Sequence, residues 1–270
     1  MLIAKLVTLL KLNMENEFNP FSLCGKNIVI SGAASGIARQ CAVNCSKMGA
    51  KLILLDLNGE GLAETITMLE RPEEHYTAVV DLTDKENTAI AVSEGVKAVG
   101  KVHGLLNCAG ISTTLPLNVV KEDTLDKFFK VNVYTGYFLT QEVTKRANLA
   151  EEGASIVFFS SVAGSYGSNG KSVYGMTKGA LKSLARSLAV ELAKKNVRVN
   201  SISPGVIVTP INQNLPHIAD PEKRAALEKQ HLLGLGKTTD IANACIYLLS
   251  DASRWVTGTN IFVDGGFTAR

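Results

Sequence analysis

The sequence predicts an α/β protein: a doubly wound parallel sheet of seven strands, helices on both faces, in a single domain. Three observations lead there. From Lys26 onward, short apolar runs rich in β-branched residues alternate with longer helical stretches. Most of the short runs are continuously apolar rather than alternating, as expected for strands covered on both faces. No Pro/Gly/Ser-rich linker and no internal repeat divides the 270 residues, so the βα alternation builds one sheet.

Taken in order, the expected strands are 27–31 (NIVIS), 51–56 (KLILLD), 76–80 (YTAVV), 103–107 (HGLLN), 155–160 (SIVFFS), 197–202 (VRVNSI) and 260–264 (NIFVD). Between them GIARQCAVNCSKMG, TLDKFFKVNVYTGYFLTQEVTKRANLA and KGALKSLARSLAVELAKKN have helical character. The irregular stretch 203–223 holds four prolines and leads into a short amphipathic helix. In a compact domain such a stretch is expected to be a lid or binding loop. The opening MLIAKLVTLLKLN is too short for a membrane span and is interrupted by Lys5 and Lys11. Residues 1–23 are read as an extension outside the core, with Met14 as an alternative start, and 24–270 as the domain.

Composition narrows the function. A chain 46% hydrophobic and 20% charged with net charge +3 has ordinary globular composition. It lacks the basic runs that nucleic acid or an anionic membrane would require. The five cysteines (Cys24, Cys41, Cys45, Cys108, Cys245) are odd in number and scattered. They read as small apolar residues in a reducing compartment, with no metal site. A cytoplasmic enzyme or binding protein, with a small-molecule partner and neither nucleic acid nor membrane, is the expectation.

The first strand runs into SGAASGIAR, residues 31–39. Gly32 and Gly36 permit a tight turn through which backbone N–H groups at a helix N-terminus can approach a pyrophosphate. Asp56 ends the second strand, twenty positions after Gly36, where an acidic residue would meet the adenosine ribose. Asp81 and Asn107 end further strands on the same edge. The fifth strand ends in Ser160-Ser161; thirteen positions after Ser161 stands Tyr174, then Lys178. A helix beginning near Lys171 projects Tyr174 and Lys178 from one face. Each residue alone has an ordinary alternative: a packed helix tyrosine, a surface lysine, a strand-end cap.

As an ordered set these motifs make the chain resemble the short-chain dehydrogenase/reductase family, in its basic single-domain, Rossmann-type form. The resemblance covers about residues 24 to 268 and rests on SGAASGIA, NCAG, Asn132 in KVNV, Ser161, Tyr174–Lys178, SPGVIVT and GTNIFVDGG. Ser31, Ala38 and Cys108 depart from the family's Thr, Gly and Asn. The resemblance implies a catalytic set of Asn132, Ser161, Tyr174 and Lys178. Tyr174 is the acid/base, Lys178 its electrostatic partner and ribose ligand, Ser161 a donor to the substrate oxygen, and Asn132 an anchor for a proton-relaying water. A nearby ammonium is expected to lower the tyrosine pKa. The implied cofactor contacts are Gly32, Ser35, Gly36, Ile37, Asp56, Asp81, Leu82, Asn107, Ala109, Gly110, Tyr174, Lys178, Pro204, Gly205, Ile207 and Thr209.

The expected reaction is hydride transfer between NAD(H) and a secondary alcohol or ketone. A 3-oxoacyl-thioester reductase is the alternative, and a catalytically silent NAD-binding sensor or scaffold the alternative of another class. Asp56 favours NAD over NADP; Ser35 supplies no cation in the turn, and Arg39 is expected to point elsewhere. Ser112, Leu115, Ala163, Tyr166 and the loop from Ile211 to Ile218 are expected to face the substrate without fixed charge. Phe128, Phe138, Leu139, Leu181, Leu184 and Leu188 exceed what one sheet face needs, and predict a homo-oligomer, a tetramer by the resemblance.

Overall fold

The computed structural model describes residues 19–209 and 216–269. Its strands are β1 (Asn27–Ser31), β2 (Lys51–Asp56), β3 (Tyr76–Val79), β4 (Gly104–Asn107), β5 (Ala154–Phe159), β6 (Val197–Pro204) and β7 (Asn260–Val263). All are parallel, in the order β3-β2-β1-β4-β5-β6-β7. The seven expected strands are therefore present, with ends shifted by a residue or two. The helices are α1 (Gly36–Lys47), α2 (Gly59–Thr67), α3 (Lys85–Val99), α4 (Glu122–Phe129), α5 (Thr135–Val143), α6 (Ser172–Leu192), α7 (Pro216–Ala219), α8 (Pro221–Glu228) and α9 (Thr238–Leu249).

Successive strand residues feed opposite cores, because side chains alternate across a sheet. Ile28, Ile30, Leu52, Leu54, Leu106, Val157 and Phe159 face one core, closed by Ala42 of α1 and Ile241 of α9. Val29, Ile53, Leu55, Leu105, Ile156 and Phe158 face the other, closed by Val92 of α3, Leu139 of α5 and Leu181 of α6. Cys41, Cys45 and Cys245 are free thiols fully inside the first core, the place of small apolar residues. Among the described residues no group of three or more His, Cys, Asp or Glu could hold a metal ion. None of the described helices is long and apolar enough to cross a membrane.

Two expectations are refined. Leu23 is fully buried and its N–H donates to the Met48 carbonyl at 2.9 Å, so core packing begins at or before this residue. Residues 1–18, including Met14, lie outside the described residues. Phe128, Leu139, Leu181 and Leu188 are buried in this chain's own core, and Leu184 packs partly buried against it. Phe138 carries the Lys85 ammonium 3.4 Å above its ring centre. These six are therefore largely spent within the subunit and supply little spare apolar surface.

The chain order reverses beside β1, which pairs with β2 on one side and β4 on the other. In open α/β sheets that reversal opens a crevice beyond the carboxyl ends of the strands. The candidate residues lie along this edge.

Candidate active site

The glycine turn is shaped by close approach. Gly32 has φ 73°, and a Cβ there would lie 3.0 Å from the Ala109 Cα. The turn thus sits against the chain leaving β4. Ser31 secures that contact: its hydroxyl donates to the Leu106 carbonyl (3.3 Å) and accepts from the Ala109 N–H (3.2 Å). Serine in place of the family's threonine keeps the hydroxyl that this clasp uses. Gly36, at φ 59°, opens α1, while Ser35 at the N-cap caps no N–H with its side chain. The first N–H groups of α1, at Gly36 and Ile37, are left as donors suited to a phosphate. Ala38, buried, takes the third glycine position.

Asp56 stands at the end of β2 with both oxygens oriented by backbone. One accepts from the Ala34 N–H and the other from the Asn58 N–H, each at 2.9 Å. Arg39 does not point elsewhere as expected. Its guanidinium bonds the Ala34 carbonyl in the turn, the Gly61 carbonyl (3.3 Å) and the Glu64 carboxylate (2.7 Å). Its charge is therefore beside the turn, but already paired. Further along, the Asp81 carboxylate accepts from the Thr83 N–H at 2.9 Å, which holds it below the usual carboxylate range. Leu82 packs half-buried next to it. Asn107 is buried; its amide donates to the Thr140 hydroxyl at 3.4 Å, while its Oδ1 has no partner. An orphaned acceptor, free helix N–H groups and an oriented carboxylate on one edge fit a dinucleotide.

The reactive side chains converge from three elements. Asn132 sits in a π-helical turn, Lys130–Tyr134, between α4 and α5. Such turns re-aim a side chain within a helix. Its Oδ1 accepts from the Ile111 N–H (2.7 Å), and its amide donates to the Ile111 carbonyl (3.0 Å) and the Thr177 hydroxyl (3.1 Å). The side chain thus clamps the segment after β4 onto α6. Lys178 is buried, and its ammonium donates to the Phe159 carbonyl at 2.7 Å. Gly110 makes room between them: a Cβ there would lie 3.1 Å from Asn132 Oδ1 and 3.5 Å from Lys178 Nζ.

Ser161 follows β5 and accepts from the Ala163 N–H at 3.2 Å. The turn it begins presses onto α6 at two glycines. A Cβ on Gly164 would lie 2.8 Å from the Gly179 nitrogen, and one on Gly175 2.6 Å from the Ala163 carbonyl. That approach brings Ser161, at the start of the turn, alongside Tyr174 on α6. Burial pushes the Tyr174 phenol above its ordinary value, and the neighbouring Ser161 hydroxyl draws it partly back. The lowering expected from Lys178 does not prevail. The ammonium lies 5.6 Å from the ring centre, and burial brings its own pKa down to about 8.

On the other flank, Pro204 ends β6 and Gly205 packs where a Cβ would meet the Asp264 Cα at 2.8 Å. Ile207 bridges to Gly236, and the Thr209 side chain lies over Gly36. A residue with no motif-like signature braces this strip. The buried His231 accepts from the Val206 N–H through Nε2 (3.2 Å), and its Nδ1 donates to the Leu227 carbonyl (3.0 Å). Its ring lies 4.9 Å from that of Phe267, which meets Tyr166 edge-on at 5.0 Å.

The substrate side differs from expectation in one respect. Lys171, three positions before Tyr174, donates to the Thr113 carbonyl (2.9 Å) and approaches the Ser112 hydroxyl (3.5 Å). A fixed charge therefore lies in the region read as uncharged. Leu115 bonds the Gly170 carbonyl beside it at 2.8 Å. Ile218 is buried, and the loop residues 211–215 lie outside the described residues. Thr177 and Lys171 were discoverable as same-face neighbours of Tyr174; His231 was not.

The family model described as enoyl-(acyl carrier protein) reductase matches residues 32–268. The chain belongs to the short-chain dehydrogenase/reductase family. L-rhamnose 1-dehydrogenase (NADP(+)) of Thermoplasma acidophilum is 32% identical over 245 residues, 90% of this chain and 96% of the relative. The 3-oxoacyl-[acyl-carrier-protein] reductase of Thermotoga maritima is 34% identical over 243 residues, 90% and 97% of the two chains. A solved short-chain dehydrogenase/reductase from Brucella melitensis, described as a glucose/ribitol dehydrogenase, superposes with a TM-score of 0.84 at 32% identity. That match covers 90% of this chain and 97% of the other. This member of the family is an NAD(P)-dependent oxidoreductase acting on CH–OH groups.

Proposed function

We propose that this short-chain dehydrogenase/reductase interconverts a secondary alcohol and its ketone using NAD(H), with Tyr174 as acid and base. The observation that carries this reading is the convergence of three side chains: the Lys178 ammonium lies 5.6 Å from the centre of the half-buried Tyr174 ring, and Ser161 heads the turn pressed onto the tyrosine's helix. The nicotinamide cofactor, when bound, supplies or accepts the hydride. In reduction Tyr174 gives its proton to the developing alkoxide, and in oxidation it takes that proton back. Ser161 holds the same oxygen by a hydrogen bond that strengthens as negative charge grows. Lys178 stabilises the phenolate and would hold the nicotinamide ribose, while Asn132 keeps the 110–111 segment in place beside it.

NAD is the preferred cofactor in this reading, although the rhamnose dehydrogenase relative is named for NADP(+). Asp56 is oriented to accept from ribose hydroxyls, and the nearest cation, Arg39, is already paired with Glu64. The reading includes a homotetramer, supported by two exposed apolar areas: Tyr134 and Tyr137 on the α5 side, and Val190 with Trp255, 92% exposed, near the carboxyl-terminal strand. It also includes a cytoplasmic location, in keeping with five free thiols. Reduction of a 3-oxoacyl thioester is the second reading, favoured by the 34% identical relative.

The test is turnover by the full chain over a panel of secondary alcohols and 3-oxoacyl thioesters, each with NAD(H) and NADP(H). Oxidation of alcohols with NAD is the expected result. Saturable NAD binding with no turnover of any alcohol would sink the reading.

A further inference from the structure

Lys171 is an unusual residue to find where it is. It occupies the N-cap of the 21-residue helix α6 and caps no N–H there with its side chain. N-cap positions favour Ser, Thr, Asp or Asn, and a cation at this end opposes the helix dipole. Local stability therefore argues against lysine, which marks the position as one set by something else. The side chain does not escape to solvent. It is half-buried, with Nζ on the Thr113 carbonyl at 2.9 Å and 3.5 Å from the Ser112 hydroxyl. Among the described residues no carboxylate pairs with it, and burial alone pulls its pKa below the ordinary lysine value. A partly dehydrated ammonium without a counter-charge is costly, unless a ligand supplies one.

Its position says which ligand. Lys171 Nζ and Lys178 Nζ each lie 5.6 Å from the centre of the Tyr174 ring. Lys178 is bonded to the end of β5, and Lys171 to the 112–113 segment that follows β4. We propose that Lys171 receives an anionic group of the substrate, so that the physiological alcohol is a small hydroxy acid. This rests on Tyr174 as the acid/base group of the reading above. Ser112 is the second donor, placed by Lys171 itself.

The experiment compares short 3- and 4-hydroxy acids with their methyl esters, using NAD, in wild type, Lys171→Gln and Lys171→Arg. The expected wild-type preference for acid over ester is about 10- to 100-fold in kcat/KM, the usual worth of a hydrogen bond to a charged group. The ratio should collapse towards one in Lys171→Gln, mainly through KM, and persist in Lys171→Arg. Propionate should inhibit oxidation of a neutral alcohol competitively in wild type, and at least tenfold more weakly in Lys171→Gln. Acid and ester falling together in Lys171→Gln would overturn the proposal and leave Lys171 as a staple between α6 and the 112–115 segment. Esters preferred by wild type would overturn it as well, with the alcohol dehydrogenase reading intact. Turnover of neither class would remove both.

Discussion

The two ends of the crevice are built from different materials. At the adenosine end, backbone does the work: the Gly32–Gly36 turn, the N–H groups of α1, and an Asp56 oriented by two main-chain donors. At the reaction end, side chains from β5, α6 and the π-helical turn meet in a desolvated cluster of Ser161, Tyr174, Lys178 and Asn132. A backbone cradle depends on a few glycines adjacent in sequence. A side-chain cluster depends on packing across the whole domain. In the proposed reaction, the first end would choose the cofactor and the second would move a proton.

The largest effect that this contrast implies is at the reaction end. Tyr174→Phe removes one hydroxyl and no packing, so kcat should fall about 10²–10⁴-fold. Cofactor affinity and melting temperature should stay near wild type. Turnover within a factor of two of wild type, measured at saturating alcohol, would remove Tyr174 from the chemistry and dissolve the contrast.

The adenosine end should show a smaller and separable effect. A 2′-phosphate placed against the Asp56 carboxylate meets repulsion of ~2–4 kcal/mol, a preference for NAD of about 30- to 1000-fold. In Asp56→Ala that preference should collapse with little change in kcat. Equal kcat/KM with NADH and NADPH in wild type would mean that Arg39 leaves Glu64 to meet the phosphate.

Lys178 sharpens the comparison through pH. Its folded pKa, about 8, lies below the ordinary 10.5 because burial disfavours the ammonium. Between these values the unfolded chain holds the proton that the native state has released, so stability rises with pH there. Below pH 8 the burial cost is present in full. Relative to Lys178→Met, wild type should therefore gain about 2 kcal/mol between pH 8 and roughly 9.5. Parallel melting curves for the two proteins over that window would mean that Lys178 titrates normally.

The smallest effect is expected at His231, which braces the strip after β6 through the Val206 N–H. His231→Asn keeps a donor for Leu227 but loses the acceptor for Val206, and should weaken NADH binding about 3- to 10-fold. His231→Gln, which can present an acceptor towards Val206, should recover most of the loss. Identical NADH dissociation constants in all three proteins would reduce His231 to a packing residue.

The sequence by itself determined the seven strands, their parallel order of burial, the glycine turn, Asp56 and the Tyr174–Lys178 pair. Each of these is written in local periodicity or in a short covalent spacing. Only the tertiary structure decided the rest. Ser161 meets Tyr174 because Gly164 and Gly175 let a turn and a helix approach more closely than any side chain would allow. Asn132 aims at Ile111 and Thr177 because a helix adds a residue to one turn. Phe128, Leu139 and Leu181 looked surplus along the chain and proved to be core, since burial is a property of both partners. For the same reason burial raises the Tyr174 pKa where spacing to Lys178 suggested lowering, and leaves Lys171 half-buried with no carboxylate paired to it among the described residues. Desolvation and close approach depend on what surrounds a residue in space, and spacing along the chain does not record them.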